Sequence, residues 1–210
     1  MRTIILVRHG ESEHHLRNLT GGWTDLPLTE QGQLQADLAA RRVQQWVAGR
    51  KAIIYCSDLL RARQTAEPFS AIWCLKPILM SELRELNNGQ AAYCTREQAY
   101  KMSKPLTTPA LDWQHYPAGE TWRKFYQRVS LAMETIFSSD SDVSIVICHK
   151  GTIVAIVGWW LHMDSALLQD WRFSCEAAPG SITVLKYSKR QEYCIDTLNY
   201  TAHLGFTSNK

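Results

Sequence analysis

With 210 residues, 45% of them apolar and 20% charged, the chain has the composition of a globular protein long enough to bury a substantial core in a single domain over residues 1–210. Its formal charge of +3 is spread without a long run of one sign, which argues against a nucleic-acid partner or a polybasic membrane anchor. The most apolar stretch, Ile153 to Leu161, is too short to cross a bilayer, signal-peptide architecture is lacking, and the six cysteines, without C-x-x-C spacing, read as reduced thiols of a cytoplasmic protein.

Thr3-Ile4-Ile5-Leu6-Val7 reads as a fully buried strand that runs into Arg8-His9-Gly10-Glu11-Ser12. A polar loop follows from Glu11 to Leu28, broken by Gly21-Gly22 and Pro27; a loop of that length in a compact domain is unusual unless it is functional. Thr29 is placed to cap a helix in which Leu34, Leu38, Val43, Trp46 and Val47 recur at helical spacing until Gly49. Ala52 to Cys56 is a second buried strand, and Ser57 or Asp58 is expected to cap the next helix, with Pro68 a kink or early stop. Pro77 to Met80 is a short strand. Between Ala91 and Tyr116 only a helix around Thr95 to Met102 stands out, and Pro105 and Pro109 break what surrounds them. Gly119-Glu120-Thr121 opens a long helix whose inward face would be Phe125, Val129, Ala132, Met133 and Ile136. Val143 to Cys148 repeats the character of the first strand, with His149-Lys150-Gly151-Thr152 at its carboxyl end and a helix from about Thr152. Ser181 to Lys186 and Glu192 to Leu198 alternate as a hairpin about Ser188 to Gln191. This order predicts a three-layer α/β/α sandwich with a mainly parallel central sheet.

Strand ends of a parallel sheet share one edge, so Arg8, His9, Arg61 and His149 would meet in one crevice suited to a phosphate-sized anion. The local pattern does not choose between Arg61 and Arg63, nor between the carboxylates Glu82 and Glu85. No G-x-x-x-x-G-K-[ST] or G-x-G-x-x-G loop provides for a nucleotide. His14 and His15, being adjacent, are expected to point apart, and no H-E-x-x-H spacing occurs, so no metal site is expected. Phosphate chemistry without a metal needs a nucleophile, for which His9 is the candidate; Arg8 and Arg61 nearby would disfavour a positive charge on it. Most tryptophans read as core, whereas Trp23 and Trp122 lie in segments expected to face the crevice.

Arg8-His9-Gly10-Glu11-Ser12, Gly22-Trp23-Thr24-Asp25, Leu28-Thr29-Glu30-Gln31-Gly32, Ser57-Asp58-Leu59-Leu60-Arg61-Ala62-Arg63-Gln64-Thr65-Ala66, Leu83-x-Glu85, Gly119-Glu120-Thr121 and Cys148-His149-x-Gly151 together resemble the histidine phosphatase superfamily, the phosphoglycerate mutase-like group. The resemblance implies that His9 forms a phosphohistidine, that Arg8, Arg61 and His149 bind the phosphoryl oxygens, and that Glu85 serves as general acid and base on a small phosphorylated substrate, with no cofactor. His15 stands where Asn is usual, Lys150 where Gly is usual, and Asn88-Gly89-Gln90-Ala91 replaces an acidic Gly-rich stretch. His15, Arg17, Trp23 and Lys150 are therefore read as a substrate rim, with His15, Arg17 and Lys150 forming a more basic mouth. Phosphatase is the leading reading, because the stretch between Glu85 and Gly119 is shorter than the site-covering segment that the resemblance implies for a mutase. The alternatives are phosphoglycerate mutase-type transfer and a non-catalytic phosphate-binding module. Oligomeric state is not legible.

Overall fold

The computed structural model describes residues 2–163 and 173–205. Its strands are β1 (Arg2–Arg8), β2 (Ala52–Ser57), β3 (Ile78–Met80), β4 (Val143–Cys148), β5 (Ile182–Tyr187) and β6 (Tyr193–Tyr200). They form a sheet ordered β3-β2-β4-β1-β5-β6, parallel through β1 and closed by the antiparallel β5-β6 hairpin. The helices are α1 (Glu13–Leu16), α2 (Glu30–Val47), α3 (Leu60–Trp73), α4 (Arg96–Lys101), α5 (Trp122–Phe137) and α6 (Lys150–Trp160). Among the described residues no helix is long and apolar enough to cross a membrane.

Alternate residues of each central strand go to opposite faces, and both faces are covered, which explains the unbroken apolar runs of β1 and β4. Ile4, Leu6, Val146 and Cys148 pack under α5 and α6, whereas Ile5, Val7, Ile145 and Ile147 pack under α2 and α3. This is the predicted three-layer sandwich. The inward face of α5 is the predicted stripe of Phe125, Val129, Ala132, Met133 and Ile136. Burying each of its larger members contributes on the order of 1.5–3 kcal/mol.

Four local expectations are corrected. In α2 the buried stripe is Gly32, Ala36, Ala39, Ala40, Val43 and Val47, while Leu34 and Trp46 are 51% and 39% exposed. Small side chains bring this helix close to its neighbours, so the bulkier residues lie off the contact. Helix α3 begins after Leu59 and lacks a side-chain cap of its own; the carboxylate of Asp25, from the Glu11–Leu28 segment, accepts the Leu60 N–H at 2.7 Å. The Asp58 side chain is engaged elsewhere, by Arg84, and the Ser57 hydroxyl, which meets His149 at 2.8 Å, reaches only the Leu59 N–H just ahead of the helix, at 3.4 Å. Pro68 lies within α3 without ending it. A proline there costs on the order of 3 kcal/mol, which burial of Ala62, Ala66 and Phe69 offsets. Finally, α6 starts at Lys150, ahead of the expected Thr152, because the Gly151 N–H at its first turn finds an acceptor in Glu85.

The loop after β1 is pressed onto the first turn of α2. A Cβ on Gly32 would lie 1.9 Å from the Glu11 carbonyl oxygen, and one on Gly10 would lie 2.2 Å from the Gly32 carbonyl oxygen. Both obstacles are backbone, so Gly32→Ala is expected to lower the unfolding free energy by about 1–3 kcal/mol. The shift of the urea midpoint measures it, and no shift would mean that the loop gives way freely.

Candidate active site

The register of β1 with β4 sets Arg8 beside Cys148, so the residues that follow, His9 and His149, leave the sheet together. The His9 N–H donates to the Cys148 carbonyl at 3.0 Å, and the two imidazoles meet edge to face with centroids 5.1 Å apart. Both rings are buried, as is Arg61 from the first turn of α3. Arg63 is exposed, so the structure favours Arg61 of the two.

His9 Nδ1 lies 2.7 Å from its acceptor, the Gly10 carbonyl, and Nε2 lies 3.2 Å from Arg61 Nε–H. The first contact fixes the proton on Nδ1 and leaves the lone pair on Nε2. Burial holds the His9 pKa well below the usual histidine value, helped by Arg61, His149 and Arg8, so the ring is neutral at neutral pH. The other donors of Arg61 reach the carbonyls of Thr24 and Gly22, both at 2.8 Å, which ties the long loop to the site. Burial lowers the Arg61 pKa to about 10, leaving the guanidinium charged.

Arg8 donates through Nη1 to the Ala177 carbonyl, and His149 Nε2 lies 2.8 Å from the buried Ser57 hydroxyl. Arg8 Nε and His149 Nδ1 are buried and have no hydrogen-bond partner among the described residues. Arg8 Nε is thus a buried N–H donor beside His9 with no acceptor, which suits an oxyanion, since a buried donor left unpaired costs about 1–3 kcal/mol; His149, fully buried behind it, does not itself line the adjoining cavity.

Glu85 lies in the turn after β3. Its carboxylate accepts the Gly151 N–H at 2.9 Å and the Leu86 N–H at 2.8 Å. A Cβ on Gly151 would lie 2.2 Å from Glu85 Oε1, so only glycine permits this approach. Arg128 of α5 holds the Glu85 turn from behind, donating to the carbonyls of Glu82 and Arg84 at 2.7 and 3.1 Å while pairing with Glu120 at 2.8 Å. Glu85, and not Glu82, lines the cavity.

That cavity, of about 560 Å³, is lined by Arg8, His9, Arg61 and Glu85 at one end. Of the residues read as a rim, only His15 lines it. Arg17 pairs with Glu13 and Lys150 with Glu176, while Trp23 donates its indole N–H to the Glu85 carbonyl and carries the Arg84 guanidinium on its ring. Burial and the proximity of Arg8 lower the His15 pKa to about 4, so that ring is neutral as well. The basic mouth is thereby corrected: its cations are compensated by acids or uncharged.

The reading that His14 and His15 point apart is also corrected. Within the single turn of α1 their ring centroids are 3.9 Å apart, and both rings lie about 6 Å from that of His9. Ser12 causes this, because its hydroxyl meets His14 Nδ1 and its N–H donates to His15 Nδ1. No group of three or more His, Cys, Asp or Glu is placed to hold a metal among the described residues. The outer cavity residues Arg96, Tyr100, His115 and Tyr116 escaped the sequence reading: the first two lie on the short helix α4, to which the sequence pattern assigns no role, and the other two lie where Pro105 and Pro109 obscure the pattern; Trp122 does face the cavity as expected. Trp171 lies outside the described residues.

Fold and site together define a class: an α/β sandwich with a cluster of arginine and histidine at its parallel strand ends. The chain belongs to the histidine phosphatase superfamily (branch 1), whose family model matches residues 4–200. It is 29% identical over 185 residues to a candidate phosphoserine phosphatase of Hydrogenobacter thermophilus, an alignment covering 79% of this chain and 87% of the relative. A 67-residue match to the 2,3-bisphosphoglycerate-dependent phosphoglycerate mutase of Brucella ovis is 49% identical but covers 31% of this chain and 32% of the mutase. Among solved structures, a mycobacterial glucosyl-3-phosphoglycerate phosphatase superposes with a TM-score of 0.79 at 21% identity, covering 96% of this chain and all of that one.

Proposed function

We propose that the protein is a phosphomonoesterase that acts through a phosphohistidine on His9. The observation that carries this reading is the neutral imidazole with its Nδ1 proton held by the Gly10 carbonyl and its Nε2 lone pair facing the cradle. Arg8, Arg61 and His149 hold the phosphoryl oxygens, with Arg8 Nε finding in the substrate the acceptor it otherwise lacks. His9 Nε2 attacks phosphorus as the ester P–O bond breaks, and Glu85, as the general acid, delivers a proton to the departing alkoxide oxygen. Glu85 then takes a proton from water, whose oxygen attacks phosphorus, breaking the P–N bond and releasing phosphate with His9 restored.

A mutase would return the phosphoryl group to the substrate skeleton, and the Brucella match favours that as the second reading. The test is phosphate release from alkyl phosphates in excess chelator without a bisphosphoglycerate primer, which is expected to proceed. Failure to release phosphate, together with primer-dependent isomerisation of 3-phosphoglycerate, would replace the phosphatase by the mutase.

A further inference from the structure

We propose that the outer half of the cavity is a ring-binding subsite, so that the favoured substrates are phosphate monoesters whose alcohol carries a planar aromatic ring and, beyond it, an anionic group; this rests on the phosphatase reading of the inner half. Away from His9 the described residues that wall the cavity are Leu86, Tyr100, His115, Tyr116 and Trp122, with Arg96 as the cation among them. Trp113, His115 and Tyr116 form a stack, with centroids 4.3 and 4.0 Å apart and ring planes within 25° and 11° of each other, so the Tyr116 ring is backed by two others. The Trp122 indole is braced edge to face by the buried Phe125, with centroids 5.5 Å apart. Rings held in this way lose little freedom when a planar ligand meets them, and aromatic pairing adds to the gain from burial.

The anionic group follows from Arg96. Outside the cradle of Arg8 and Arg61, neighbouring described cations are paired: Arg17 with Glu13, Lys101 with Glu97, Arg123 with Asp112 and Lys150 with Glu176. Arg96 has no ion-pair partner among the described residues, and its backbone N–H is tied to the Asn18 carbonyl at 3.0 Å, so the root of the side chain is anchored at the cavity wall. The cavity of about 560 Å³ is of the size that encloses drug-sized ligands. A three-carbon phosphate such as phosphoserine or 3-phosphoglycerate would fill the inner end and leave the aromatic wall unused.

Ethyl, benzyl and 4-carboxybenzyl phosphate test this, because their leaving alcohols are of similar acidity and differ in the ring and the charge. Benzyl phosphate is expected to exceed ethyl phosphate in kcat/KM by about tenfold or more, with 4-carboxybenzyl phosphate several-fold higher again. Tyr116→Ala and Trp122→Leu should each shrink the benzyl advantage while leaving ethyl phosphate turnover in place, and Arg96→Gln should remove the carboxyl advantage alone. A benzyl-to-ethyl ratio near one, or one that neither ring variant changes, would overturn the subsite; a carboxyl advantage that survives Arg96→Gln would overturn its anionic part. If none of the three esters is hydrolysed, the phosphatase reading fails on its own. Calorimetric titration with ethyl and benzyl phosphate then decides the subsite: benzyl binding about tenfold tighter, and lost in the ring variants, upholds it, and equal affinities overturn it.

Discussion

Replacing His9 with asparagine is expected to lower kcat by roughly 10⁴-fold or more, because no other side chain in the cradle offers a lone pair in the position of Nε2. Asparagine keeps a side-chain donor in reach of the Gly10 carbonyl, so circular dichroism and the urea midpoint should stay close to wild type. The wild type, quenched in alkali during turnover of a ³²P-labelled ester, should carry label that survives base and is lost in acid, as a phosphoramidate is; the variant should carry none. Turnover within about tenfold of wild type, with label retained, would remove His9 from the mechanism. The pH dependence has a definite sign. Burial and the flanking cations hold the pKa of His9 well below the usual 6.5, so its ring stays deprotonated, as the proposed nucleophile requires, while pH falls through 6.5. Any decline in kcat/KM there should follow the substrate, whose phosphate dianion takes up a proton to become the monoanion at about pH 6.

The parts of this molecule legible from sequence are those in which a local pattern decides the outcome. Strands β1 and β4 are buried on both faces and read as unbroken apolar runs, and the stripe of α5 follows directly from the 3.6-residue period. Where small residues make the contact, hydrophobicity misleads: Ala36, Ala39 and Ala40 pack α2 while Leu34 and Trp46 look outward. Where the partner is distant in the chain, the local signal is silent. Asp25 caps α3 from across the long loop, and Glu176 neutralises Lys150 from near β5. The inner site was readable because parallel strands deliver their ends to one edge, which sets Arg8, His9 and His149 together by topology alone. Its outer wall was not, since the Trp113-His115-Tyr116 stack comes from a segment with no period to read.

The Glu11–Leu28 segment shows why so long a loop persists in a compact fold. Arg61 grips it at Gly22 and Thr24, Asn88 donates to Thr20 and Gly21, and Trp23 reaches the Glu85 carbonyl. The loop thus joins the phosphate cradle to the carboxylate across the cavity. Residues such as Asn88 thereby help set the distance between His9 and Glu85 without touching either, and in the proposed mechanism misplacement by about 1 Å can cost 10²-fold in rate.

Exchange of Glu85 for glutamine should divide the two halves of the reaction. With an alkyl phosphate the departing oxygen needs a proton, so phosphohistidine formation is expected to slow by about 10²–10⁴-fold. With 4-nitrophenyl phosphate the phenolate leaves unaided, so the first step should stay within about tenfold of wild type. The second step still lacks its base, and the phosphohistidine should accumulate: a burst of nitrophenolate equal to the enzyme present, followed by slow turnover. Both Glu85 oxygens accept backbone N–H groups, from Gly151 and Leu86, and an amide can satisfy only one of them, so part of any loss will be positional. Arg128→Lys serves as the control for that part. It loosens the same turn while leaving the carboxylate in place, and should slow both esters by a similar factor without a burst. A Glu85→Gln variant that behaved as Arg128→Lys does would make Glu85 a structural anchor on the first turn of α6, and the proton would have to come from another cavity group. His14 is poorly suited to that part, because burial and the neighbouring His15 lower its pKa to about 3 and leave it without a proton to give at neutral pH beyond the one its neutral ring retains.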